Sequence, residues 1–170
     1  MAKVCKNLQE LRNEIMKRVN TALDTEVADT VKEVMTDHIV RDVYDAWEPQ
    51  AYIRRYNQSG NDIGSPFDDT DNIGLLGQEN IISTIDGDGN LFVQNMTLGS
   101  RYYYDATGWH ISKNAEKPIA GVIETGRGYD VSGNAIPRPF IQNTHDDLEQ
   151  NHYHTEAMKR SLKKQGLEVK

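Results

Sequence analysis

A single cysteine, Cys5, is the only thiol in the 170-residue chain. An internal disulfide and a cysteine-cornered metal site are thereby excluded, and the pattern fits a reduced thiol in the cytoplasm. Long apolar runs are missing too. None approaches the length needed to cross a bilayer, and residues 1–20 lack the uninterrupted hydrophobic centre of a secretory signal, so no membrane partner is expected. Basic charge is in deficit, with 19 Lys and Arg against 26 Asp and Glu and a formal net charge of −7. That argues against a general nucleic-acid clamp, which needs a basic face to displace counterions from phosphate. An acidic surface is nevertheless suited to surround DNA without adhering to it. Only 37% of residues are hydrophobic, which describes a polar protein with much exposed surface, and the length suits a single domain, 1–170, with a real core.

Glycine and proline are both absent from Leu8 to Val43. Within that stretch Leu8, Leu11, Ile15, Val19, Ala22, Leu23, Val27, Val31, Val34, Met35, Ile39 and Val43 recur at helical spacing and form one apolar stripe. An N-terminal helical arm over 6–47 is predicted, about 54 Å long if continuous. A bend near Leu23 to Thr30, where Asp24, Thr25, Asp29 and Thr30 offer capping side chains, fits the pattern equally well. Glu48-Pro49 supplies the stop, because the residue before proline is pushed out of the helical region.

After a polar, loop-like stretch, residues 72–141 read as a β-rich core. Asn80 to Ile85 and Leu91 to Leu98 flank Asp86-Gly87-Asp88-Gly89-Asn90, the pattern of a β-hairpin. Arg101 to His110 reads as a loop and Ile119 to Thr125 as a short strand. A C-terminal helix is expected over 144–166, with Thr144 as N-cap, acids Asp146, Asp147 and Glu149 early, bases Lys159, Arg160, Lys163 and Lys164 late, and Gly166 as the stop. The fold class is α+β: a long N-terminal helix, a small mostly antiparallel sheet and a C-terminal helix.

Candidate chemistry is sparse. Asp86, Asp88 and Asn90 have the spacing that opens a calcium loop, but Leu91 stands where glycine is required and Thr97 where a bidentate glutamate is, so a plain hairpin turn is the better reading. His145, His152 and His154 with Asp146 and Glu149 offer transition-metal ligands. His152 and His154 are two apart, however, and diverge by about 200° on a continuous helix. No serine elbow, phosphate-cradling loop or cysteine–histidine pair is present. The sequence thus predicts no catalytic residue, no metal and no cofactor. Tyr44, Trp47, Tyr52, Arg54 and Arg55 stand out for a different reason, since aromatic and arginine side chains carry much of the energy of protein interfaces. Tyr44 and Trp47, three apart, could equally close the core.

The segment Val43-Tyr44-Asp45-Ala46-Trp47-Glu48-Pro49-Gln50-Ala51-Tyr52-Ile53-Arg54-Arg55-Tyr56 resembles a motif of tailed-bacteriophage neck, or head–tail connector, proteins. Asp71-Asn72-Ile73, Val122-Ile123-Glu124-Thr125-Gly126 and Pro137-Arg138-Pro139-Phe140-Ile141 follow in the order and approximate spacing of that family. The resemblance implies a structural virion protein, not an enzyme, made in the host cytoplasm and placed at the head–tail junction. It further implies a cyclic homo-oligomer around the DNA channel, without sequence-specific DNA binding, whose partners are itself, the portal-side connector and the tail. A tail terminator or a minor capsid component is the near alternative. A metal-dependent hydrolase built on the C-terminal histidines, and a calcium-dependent module at Asp86 to Asn90, are the distant ones.

Overall fold

The computed structural model describes residues 5–46, 75–97, 101–105, 108–112, 118–126 and 136–169. The architecture is α+β, with a long N-terminal helix, antiparallel strand pairs and helices at the C-terminal end. Helix α1, Leu8–Ala22, opens on Asn7, whose Oδ1 accepts the Glu10 N–H at 2.8 Å. In return the Glu10 carboxylate accepts the Lys6 N–H at 2.7 Å, so two of the amides at the helix start are satisfied by side chains.

The helix does not break after α1. A widened turn over Leu23–Val27, in which the Ala28 N–H reaches back to Leu23 O, leads into α2, Ala28–His38, and a second widened turn covers Ile39–Asp45. The sequence supplies the reason. Leu23, Val27, Val31, Met35, Ile39 and Val43 recur strictly every fourth residue. In a regular α-helix each such step rotates the side chain by about 40°, so five steps would smear the stripe over about 200°. Turns that hold more residues absorb the excess and return the stripe to one side. Val27, Met35, Ile39 and Val43 are all buried.

Strands β1, Ile81–Ile85, and β2, Leu91–Asn95, form the expected hairpin. Its connection is built on Asp86 and Gly89: the Asp86 N–H donates to Asn90 O, the Gly89 N–H donates to Asp86 O, and Gly89 holds φ at +86°. This is a three-residue loop closed by a left-handed glycine. At the open end the Met96 N–H donates to Asn80 O.

Four sequence expectations are corrected. The stretch expected as a loop is a second antiparallel hairpin, β3, Arg101–Asp105, with β4, Gly108–Ser112, pairing Tyr102 with Ile111 and Tyr104 with Trp109. Contiguous tyrosines hid it, since they have high strand propensity but show no alternation of apolar and polar residues. Among the described residues the strands form two two-stranded sheets. Residues expected as a strand form helix α3, Ala120–Thr125. Its β-branched content misled, whereas its burial is helical: Ala120 and Ile123, three apart, are buried, and the Ile123 N–H returns to Ile119 O. The C-terminal helix is two helices, α4, Phe140–Asn151, and α5, Tyr153–Lys164, divided at His152, whose φ is +57°. Thr144 is therefore not a cap. It lies in the second turn of α4, buried, and donates its hydroxyl hydrogen to Phe140 O at 2.6 Å. The expected stop holds: Gly166 has φ +80°, its N–H meets Lys163 O, and the Leu167 N–H meets Leu162 O.

The chain divides into two compact units, 1–34 with 83–93 and 146–170, and 35–82 with 94–145. In the first, α1 and the turn after it pack on α5, and Ala22, Val27, Ala157 and Leu162 are buried. Arg18 Nη1 donates to Gln165 O at 2.6 Å, and Lys164 Nζ meets Glu26 at 2.7 Å. Among the described residues of the second, Met35, Ile39, Val43, Leu75, Ile81, Ala120, Ile123 and Phe140 are the buried apolar ones. Among the described residues no helix is long and apolar enough to cross a membrane.

Gly89 gives a clean test of the hairpin loop. A β-carbon there would lie 3.8 Å from Asn20 Oδ1 and 3.9 Å from Met16 Cε, ordinary contact distances, so space does not forbid alanine and only the positive φ does. Gly89→Ala is expected to cost about 1–2 kcal/mol, read as a lower denaturant midpoint with an unchanged slope. An unchanged midpoint would mean that the loop relaxes to another turn.

Candidate functional site

The segments that stood out in the sequence are not scattered in the fold. The last of the helical arm, α3 and the start of α4 all belong to the second unit. Helix α4 begins directly after Pro139, which has no side-chain acceptor to offer its first amides. Other groups take each of them. The Phe140 N–H donates to Arg138 O, and the Asn143 N–H to Pro139 O. Between them, the Ile141 N–H donates to one oxygen of Glu124 at 2.8 Å and the Gln142 N–H to the other at 3.0 Å. A carboxylate from α3 thus caps the positive end of α4 with both oxygens, where the helix dipole favours negative charge.

A backbone bond locks the same pair of segments, as the Arg138 N–H donates to Ile123 O at 3.0 Å. Gly126 ends α3 at φ +65°, and Phe140 is fully buried. The two motifs Val122 to Gly126 and Pro137 to Ile141 are therefore two halves of one clasp.

A second carboxylate holds the same turn of α4. Asn143 Nδ2 donates to Asp42 Oδ2 at 2.8 Å, and that oxygen also lies 2.8 Å from Nδ1 of His38, which is buried. Arg41 Nε donates to Asp42 Oδ1 at 3.2 Å. Partial burial pushes the Asp42 carboxyl up, but hydrogen bonds from Asn143, His38 and Arg41 outweigh it and hold the group below the ordinary aspartate range. The widened turn over Ile39–Asp45 carries this group, and a helical turn with an extra residue re-aims side chains in that way.

Of the interface candidates, Tyr44 lies in that turn, half-buried, beside the buried Val43. Trp47, Tyr52, Arg54 and Arg55, and the Glu48-Pro49 stop, lie outside the described residues. At the hairpin, Asp86 is committed to its own loop: Oδ1 accepts the N–H groups of Asp88 and Asn90 at 2.9 and 2.8 Å, and Oδ2 accepts from the Asn90 side chain at 2.8 Å. These bonds, the Asn90 side chain's first, lower the Asp86 pKa. Side-chain oxygens that a calcium loop would aim at an ion here tie a turn instead.

His145, Asp146 and Glu149 bring their potential ligand atoms within 4.8 Å of one another on α4, all exposed. His152 and His154 do not join them. The left-handed break at His152 separates these two histidines from α4, and His154 belongs to α5.

The partners of Glu124, Asp42 and Asn143 were not anticipated from the sequence. A signal existed at α4: a helix that starts directly after proline needs its cap from elsewhere in the chain, and Glu124 sat in the neighbouring motif. Glu124→Ala is expected to destabilise by about 1–2 kcal/mol, the usual worth of a lost cap, seen as a lower melting temperature together with faster hydrogen exchange at Ile141 and Gln142. Acid should act on Asp42 and Asp86 with a defined sign. Both have depressed pKa values in the fold, so their stabilisation is complete above the ordinary aspartate pKa and is lost as pH falls through the depressed values. Exchange at Asp88 and Asn90 measured down that range should accelerate in the wild type and be pH-independent in Asp86→Asn beyond intrinsic chemistry.

A sequence profile of the YomN family matches residues 7–164, from the cap of α1 to the end of α5. The chain is also similar to the SPbeta prophage-derived protein YomN of Bacillus subtilis (strain 168), at 29% identity over 148 residues that cover 82% of this chain and 81% of that protein. No solved structure matches. The matched span takes in both halves of the clasp, Asp42 and the hairpin loop, and with a prophage-derived relative it points to a phage-derived protein: the chain belongs to the YomN family.

Proposed function

We propose that this protein is a structural component of the tailed-phage neck, a subunit repeated in a closed ring between the head connector and the tail, around the DNA channel. The observation that carries the reading is the state of the first helix. Leu8 is 85% exposed, and Leu11, Ile15 and Met16 are exposed at 44%, 40% and 42%. The apolar stripe of which Ala22 and Val27 are the buried part thus continues toward the start of α1 through side chains that stand exposed. Large apolar residues aligned on one exposed helix face mark a surface that another protein covers. In a ring, each subunit presents two different surfaces to its neighbours, and closure prevents runaway growth.

Two further features support this reading. Membership of a family with a prophage-derived relative fits a virion role. The net charge of −7 suits a channel wall that phosphate does not adhere to. Tyr44, Trp47, Tyr52, Arg54 and Arg55 are proposed as contact residues next to the helix end. A tail terminator or a minor capsid component of the same particle shares this chemistry and differs only in position.

Removing the protein from the phage tests the role. An amber mutation should yield filled heads and finished tails that fail to join, seen by negative-stain microscopy of the lysate; normal joined particles without the protein would overturn the proposal. The surface has its own test. Leu11→Glu sits on an exposed face, so the isolated protein should keep its stability within about 0.5 kcal/mol, while incorporation into particles falls by at least tenfold. Equal incorporation of the variant would remove the α1 face from the account. Arg54→Ala combined with Arg55→Ala should likewise lower infectivity, and unchanged titre would remove that pair.

A further inference from the structure

We draw no further inference here: the strongest candidate, the exposed apolar face of α1 formed by Leu8, Leu11, Ile15 and Met16, already belongs to the proposed reading, and nothing in the structure shows whether a second copy or another virion protein covers it.

Discussion

A strict four-residue recurrence of apolar side chains is the constraint on which the fold turns. Leu23, Val27, Val31, Met35, Ile39 and Val43 cannot share one side of a regular α-helix, and their hydration cost favours a backbone on which they do. Two widened turns resolve the conflict, one at each end of α2. Their consequences reach beyond the helix. In one unit Ala22 and Val27 close on α5; in the other Met35, Ile39 and Val43 contribute to the core that also takes Phe140. The second widened turn also places Asp42 where it accepts from Asn143.

Carboxylates do a second share of the structural work. Helix α4 starts directly after a proline, so two of its first amides would be stranded without an external acceptor, and Glu124 supplies both oxygens. Asp42 holds the next residue along the same turn. Such bonds count for more than neutral ones because the acceptor is ionised and the helix end is electropositive. The protein's acidity is therefore partly architectural: Glu10, Glu26, Asp42, Asp86 and Glu124 each complete a local structure.

Legibility in the sequence followed the type of signal. The helical arm, the hairpin at Asp86 to Asn90 and the stop at Gly166 were readable because periodicity and turn chemistry are local. Propensity alone failed at Ile119 to Thr125, where β-branched residues suggested a strand and the packing of Ala120 and Ile123 made a helix. It failed again at Arg101 to Trp109, where a run of tyrosines gives no alternation to read. Long-range capping left only an indirect signal, the proline before α4. Thr144 looked like an N-cap because a hydroxyl preceded acids, yet the true start lay four residues earlier, where the acceptor comes from α3. Of the interface candidates only Tyr44 falls among the described residues, so the site at the helix end rests on the resemblance and not on geometry.

For function, the informative feature is a contrast within one helix. Its later part carries the buried Val27, Met35, Ile39 and Val43, while the stretch from Leu8 to Met16 exposes leucine, isoleucine and methionine side chains. A subunit completed only by its neighbours has that character, and a phage-derived family gives it a setting. Cryo-electron microscopy of purified particles of the source phage tests this most directly. The account predicts ring-shaped density at the head–tail junction that fits this chain, with the α1 face against another protein; absence of the protein from the whole particle would contradict it.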